Sequence, residues 1–353
     1  MIIAHVLQSN IYSGAENVIC QIIEMFSEND DVSMIYVSPS GPIDHILEEK
    51  GIKHFRLNAF TVREIKKAIN TINPDVIHAH DFNASVRTAI ACKKIPIISH
   101  LHNNPLWGKT LNIKTITYTF FSHKYRYIIG VSNSIRDEFF FSRVIKDRFV
   151  LIQNVVDSRK VLALADRENT SKVDLIYVGR LSEPKNPIGF LKIIDSLVHD
   201  YKINISSEII GSGELEDRCK EFIIEHKLNE NVKLLGFKSN PYVYMKNAKI
   251  LIMPSLFEGF GLVAVESMIL GIPVAALRVG GLVDIIDDEC GEICDTIDQL
   301  IRKISVLIKD EKKLSDKSKL SRLKASQFTN MEKYKTEIMT IYNQAISFSK
   351  RGS

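Results

Sequence analysis

Along the first 150 residues, short runs of consecutive apolar residues alternate with stretches whose apolar positions recur every three or four. The runs Ile2 to Leu7, Val32 to Val37, Val76 to Ala79, Ile97 to His102, Tyr127 to Val131 and Phe149 to Ile152 predict strands buried on both faces. The stretches between them predict amphipathic helices. A polar interval without strand pattern, Asp157 to Ser171, interrupts the alternation, which then restarts. Leu175 to Val178, Glu208 to Ile210, Val232 to Leu235, Ile250 to Met253 and Val274 to Ala276 are the strands of the second half. Strands alternating with helices in this way predict an α/β protein of two Rossmann-like, doubly wound parallel sheets, each with helices on both faces. A length of 353 residues fits two domains better than one core. The expected division is 1–156, 157–329, and a last segment 330–353. In that segment Tyr334, Ile338, Ile341, Tyr342 and Ile346 have helical spacing, and the helix is expected to return to the first domain.

Composition narrows the class without changing the picture. With 45% hydrophobic and 25% charged residues the chain reads as globular. Its first residues have no basic region ahead of the apolar stretch, so they read as a strand and not as a secretory signal. The most apolar region, about Ile250 to Leu277, is broken by Pro254, Glu258 and Glu266 and does not make a membrane span. Five scattered cysteines argue against a disulfide framework and for a reducing cytoplasm; Cys290 and Cys294 lack the second ligand pair a structural zinc needs.

Charge does change the picture. The net charge is +4, but Arg87 to Arg148 holds eleven Lys or Arg against three acids. Leu106-Trp107 and the aromatic, basic run Tyr118 to Tyr127 lie in the same stretch. Two readings stand side by side: an anionic membrane surface or phosphorylated lipid as partner, and a solvated basic face over core aromatics. Nucleic acid is not expected, because no motif for it accompanies the charge.

The chemistry concentrates in the second half. Glu258 and Glu266 flank Glu258-Gly-Phe-Gly-Leu262 in a stretch otherwise too apolar for unpaired carboxylates. A buried strand before them and a helix predicted from Leu262 make a strand, a glycine turn and a helix N-terminus, an arrangement that presents amides to phosphate while carboxylates accept sugar hydroxyls. We therefore read a nucleotide-sugar pocket here. Upstream, the strand ending at Val178 runs into a loop with Arg180 and Lys185, which the spacing places near each other. Two cations at the C-terminal end of a strand can neutralise a diphosphate leaving group.

These pieces together resemble glycosyltransferase family 4. The resemblance is carried by Gly179-Arg180-Leu181 with Lys185, Ile210-Gly-Ser-Gly213, Glu258-Gly-Phe-Gly-Leu262 with Glu266, Gly271-Ile-Pro273 and Gly280-Gly281. In the first half Ser13-Gly-Ala-Glu16, Pro74-Asp-Val-Ile-His78, Pro96 to His102, Val131-Ser-Asn-Ser134 and Asn154-Val-Val-Asp157 agree. Val155 stands where the family often has glycine, Ser13 replaces another frequent glycine, and Asp284 stands where glutamate is common.

The resemblance implies the GT-B fold, with two Rossmann-like domains facing a central cleft, and retaining transfer of a sugar from a nucleoside diphosphate sugar. UDP is favoured and GDP is next. Arg180 and Lys185 would bind the diphosphate. The backbone at Phe260, Gly261 and Leu262 would help hold phosphate and sugar, beside the Gly179 loop. Glu258 would take the sugar hydroxyls and Glu266 the ribose. From the first domain, Gly14 would let the backbone approach the diphosphate, a role an ordinary turn glycine matches equally well. His102 would contact the donor sugar, with a satisfied core histidine as the other reading; His100 shares its face of the strand. No metal ligands and no cofactor are expected. The acceptor would be a glycan or lipid-linked glycan of capsule, O-antigen or exopolysaccharide assembly, met at the inner face of the cell membrane. A nucleotide-sugar epimerase of the same fold and a noncatalytic sugar- or partner-binding module are the alternatives.

Overall fold

Every apolar run named above forms a strand, and all strands lie in two wholly parallel sheets. The structure, a computed structural model, describes residues 1–167 and 170–351, the side chains of 348–351 excepted. The chain divides into two units, Met1–Asn154 with the C-terminal stretch from Glu332, and Val155–Met331.

In the first unit the strands are β1 (Ile2–Val6), β2 (Ser33–Pro39), β3 (His54–Leu57), β4 (Val76–His80), β5 (Ile97–Leu101), β6 (Tyr125–Gly130) and β7 (Phe149–Leu151). Their order is β3-β2-β1-β4-β5-β6-β7. The second unit has β8 (Val173–Val178), β9 (Ser207–Ile210), β10 (Val232–Gly236), β11 (Ala248–Met253), β12 (Val274–Leu277) and β13 (Glu292–Cys294), ordered β10-β9-β8-β11-β12-β13. Two strands, β3 and β13, exceed the expectation. Both are short sheet edges: β3 is only partly buried, and β13 has three residues headed by Glu292, of which Ile293 and Cys294 are buried, so neither makes an apolar run of readable length. The polar interval after Asp157 is not bare linker: it contains the helix Ser158–Ala165, capped by the Asp157 carboxylate on the Arg159 and Lys160 amides.

Each sheet reverses its winding once, between β1 and β4 in the first and between β8 and β11 in the second. Loops leaving two adjacent strands at such a point open a crevice at their C-terminal ends. In the second unit Leu175, Phe190, Ile194, Ile209, Ile250 and Ile252 are among the fully buried residues of the core that holds these strands. In the first, the helix Met331–Arg351 adds Tyr334, Ile338, Tyr342 and Ala345 to the buried set.

Candidate functional site

In the second unit the loops after β8 and β11 carry most of the expected residues. Tyr177 ends its reach beneath the first loop, its hydroxyl donating to the carbonyls of Arg180 at 2.9 Å and Lys185 at 3.4 Å. The loop after β9 braces it from the side: the Leu181 amide donates to Ser212 O at 3.0 Å and the Leu215 amide to Leu181 O at 2.9 Å. This explains the glycines of Gly211-Ser-Gly213. A Cβ on Gly211, at φ +144°, would stand 1.9 Å from the carbonyl oxygen of Gly179, and one on Gly213 would stand 2.4 Å from that of Leu181. Asn186, itself left-handed, donates to Pro254 O at 3.0 Å, and the Leu256 amide donates to Pro184 O at 2.8 Å. The two loops are thereby tied to each other.

That tie brings Lys185 onto Glu258. The ammonium lies 2.5 and 2.6 Å from the two carboxylate oxygens, and Glu258 is only 8% exposed. Burying this carboxylate is tolerable because a charge-assisted pair satisfies it. Arg180 goes elsewhere: its guanidinium is largely exposed and meets Glu214 at 3.3 Å. The two cations expected side by side thus sit on different carboxylates.

Beyond Glu258 the chain turns through Gly259-Phe260-Gly261 into the helix Leu262–Ile269. Gly261 has φ +105°, and its carbonyl accepts the amides of Ala264 at 2.9 Å and Val265 at 3.3 Å. The helix's opening amides are left for another acceptor. Phe260 is buried against Phe328. Gly280-Gly281, whose role the sequence did not reveal, closes the turn from above. A Cβ on Gly280 would stand 1.6 Å from Glu258 O, and the Gly281 amide donates to that oxygen at 3.2 Å. Glu266, half-buried one helical turn on from Leu262, accepts a hydrogen bond from the Tyr242 hydroxyl at 3.2 Å; loss of hydration raises its carboxyl to about 7.

In the first unit Gly14 opens the helix Gly14–Met25 and is exposed, with no atom near the place its Cβ would take. Ser13, the departure from glycine, caps that helix with Glu16, whose carboxylate accepts from the Ser13 amide at 3.0 Å. His102 lies just past β5, and its Nε2 faces His80 Nδ1 at 2.8 Å. Its neighbours His5, His78, His80 and His100 are all buried on the same face; sequence reading placed His100 beside His102 and missed the other three. Burial drives all five imidazoles toward the neutral form, with His5 and His102 lowered to about 3. The period-two pairs His78-Ala-His80 and His100-Leu-His102 were the available signal. Beside them Asp81, left-handed at φ +67°, accepts the His102 amide at 3.1 Å, and burial raises its carboxyl to about 7.

The basic stretch resolves into two layers. Tyr118 and Tyr125 are buried, while Leu106, Leu111, Ile113, Ile116, Phe120, Phe140 and Val144 are exposed. Some of its cations are engaged, Lys109 with Glu138 at 2.5 Å and Lys124 with Ala89 O at 2.8 Å. Among the described residues no helix is long and apolar enough to cross a membrane. The five cysteines are buried free thiols.

A family model described as Glycosyl transferases group 1 matches residues 163–323, and one described as Glycosyltransferase Family 4 matches residues 12–160. The chain is 30% identical over 253 residues to an uncharacterized glycosyltransferase of Methanocaldococcus jannaschii, over 70% of this chain and 67% of that one. A match to another glycosyltransferase of that organism spans 57% of its length, less than two thirds. Over 96% of each chain it is 22% identical to the UDP-Gal:alpha-D-GlcNAc-diphosphoundecaprenol alpha-1,3-galactosyltransferase of Escherichia coli. Among solved structures, Anabaena HepE in complex with UDP and glucose has a TM-score of 0.83 at 20% identity, over 98% of this chain and 100% of that one.

Proposed function

The chain belongs to glycosyltransferase family 4 and has the GT-B fold, and from that membership we propose that it moves a hexosyl or N-acetylhexosaminyl residue from a nucleoside diphosphate sugar to a hydroxyl acceptor with retention. The observation that carries this reading is the Lys185–Glu258 pair set over the Gly259-Phe260-Gly261 turn at the winding reversal of the second sheet. A cation, a buried carboxylate and the opening amides of a helix meet there, which suits a sugar joined to a diphosphate.

In this reading Lys185 and Arg180 neutralise the diphosphate as it departs, helped by the backbone at Phe260, Gly261 and Leu262, with the Gly179 loop alongside. Glu258 holds donor-sugar hydroxyls and Glu266 the ribose. The acceptor oxygen attacks the face the leaving group vacates, and the departing phosphate oxygen takes its proton. UDP is the favoured nucleotide, a preference supported by the UDP-binding HepE and the UDP-galactose-using E. coli relative. The same relative supports a lipid-linked glycan as acceptor, reached at the cytoplasmic face of the membrane during polysaccharide assembly.

The test is a thermal shift with UDP and with GDP, EDTA present, on the native chain and Arg180→Ala. At 100 times its dissociation constant a nucleotide adds about 2.7 kcal/mol of stability. A shift with UDP that Arg180→Ala diminishes is the expected result; no shift with either nucleotide overturns the reading.

A further inference from the structure

We propose that the first unit holds a divalent ion of the zinc class on His80, His100 and His102, independently of the transfer reaction. Adjacent strands create the cluster. His5 on β1 is in register with His78 on β4, and His80 on β4 with His100 on β5. Because side chains two apart share a face, the five rings form one buried patch near the C-terminal strand ends.

Neutral imidazole has one N–H and one bare nitrogen, and the rings are joined in two runs. Tyr342 Oη meets His78 Nδ1 at 2.8 Å, and His78 Nε2 meets His100 Nδ1 at 3.1 Å. His5 Nδ1 meets His80 Nε2 at 3.0 Å, and His80 Nδ1 meets His102 Nε2 at 2.8 Å. The ends are unsatisfied: His5 Nε2, His100 Nε2 and His102 Nδ1 are buried with no hydrogen-bond partner. In a run of three neutral rings one terminal nitrogen must carry a proton and the other a lone pair. Each such buried orphan costs on the order of 1–3 kcal/mol.

An ion would take the lone pair of the orphaned His100 Nε2 and, in place of the His80–His102 hydrogen bond, a nitrogen from each of those two rings. His80, His100 and His102 each offer a ring nitrogen within 4.8 Å of the others. Zinc–imidazole bonds of about 2.0–2.1 Å place ligand nitrogens roughly 3.4 Å apart, so the cluster needs only small ring shifts to bind. With the ion in place the two runs point outward: His80 Nε2–H toward His5, His100 Nδ1–H toward His78, and His78 Nδ1–H toward the Tyr342 oxygen. Hydrogen bonds from the far nitrogen are what orient metal-bound histidines elsewhere. Donors that are all imidazole suit Zn2+, Co2+, Ni2+ or Cu2+ over Mg2+ or Ca2+. His102, 8% exposed, marks the entry side. His5 and His78, with His80, make a second triad that shares one ligand, which is why a single ion is assigned.

The experiment titrates Co2+ into the untagged, EDTA-dialysed chain and follows its visible d–d absorption, then displaces it with Zn2+. One equivalent per chain, bleached by Zn2+, is expected, with a raised melting midpoint. His100→Asn and His102→Asn should each abolish the absorption, while His45→Asn, at an exposed helix position, should not. The first unit's own cooperative melt, followed without metal, verifies that the variants fold. His102→Asn, at the edge of the cluster, serves where His100→Asn does not fold. Absence of d–d bands in the native chain, or binding that survives both substitutions, overturns the proposal and leaves a metal-free hydrogen-bonded chain of neutral rings.

Discussion

Lys185 shows how one side chain ties stability to chemistry. Without it, Glu258 keeps its burial and loses its counterion. A fully buried pair broken on one side costs about 3–5 kcal/mol. Water reaches a third of the Lys185 side chain, 33% by exposure, so screening lowers the expected loss for Lys185→Ala to roughly 1–2 kcal/mol. Adding Glu258→Gln should restore most of it in chemical denaturation while transfer stays reduced by about 100-fold or more. Glu266 offers a second residue-scale test. Its carboxyl is raised from 4.5 to about 7 in the folded chain, so the native state binds the extra proton between those values. Stability is full below about 4.5 and falls as pH rises toward about 7, at up to roughly 1.4 kcal/mol per unit. Glu266→Gln should flatten that slope in melts run across the interval. Both glutamates were legible in the sequence because an apolar surround makes a carboxylate conspicuous. The histidine cluster was not, since only strand register joins the pair His100 and His102 to His78, His80 and His5.

At the scale of elements, strands buried on both faces announced themselves, and the edges β3 and β13 did not, because β3 is half-solvated and mixes polar with apolar positions while β13 is only three residues long. The glycine pairs were legible as a pattern but not as a cause: Gly280 is required by the approach of Glu258 O, a contact 22 residues away that no local rule predicts. The helix Ile113–Phe121 carries a different consequence. Ile113 and Phe120 are 75% and 67% exposed and lie on one face with Ile116, beside a strongly cationic stretch. Exposed apolar area of this kind marks a surface that meets something. Ile113→Asp with Phe120→Asp should abolish sedimentation with anionic vesicles and leave the melting midpoint unchanged. Vesicle binding that persists would separate the cationic stretch from membrane contact.

For the whole molecule, the two-sheet plan followed from strand and helix alternation alone, whereas the individual contacts of the last helix had to be read from packing. Tyr342 touches His78 across most of the chain's length. A chain ending at Asn330 should therefore lose the first unit's cooperative melt, since Ile338, Tyr342 and Ala345 leave buried sites. The second unit should still melt with a nucleotide-dependent midpoint in the same scan.

This return of the chain also orders its birth. Ribosomes release about 5–20 residues per second, so Val155–Met331 occupies synthesis for roughly 10–35 s before the closing helix even begins to be made. Throughout that interval the histidine face of the first sheet has no Tyr342 to meet, while the second unit is a single uninterrupted piece of chain. The half that is translated first is the half that is finished last.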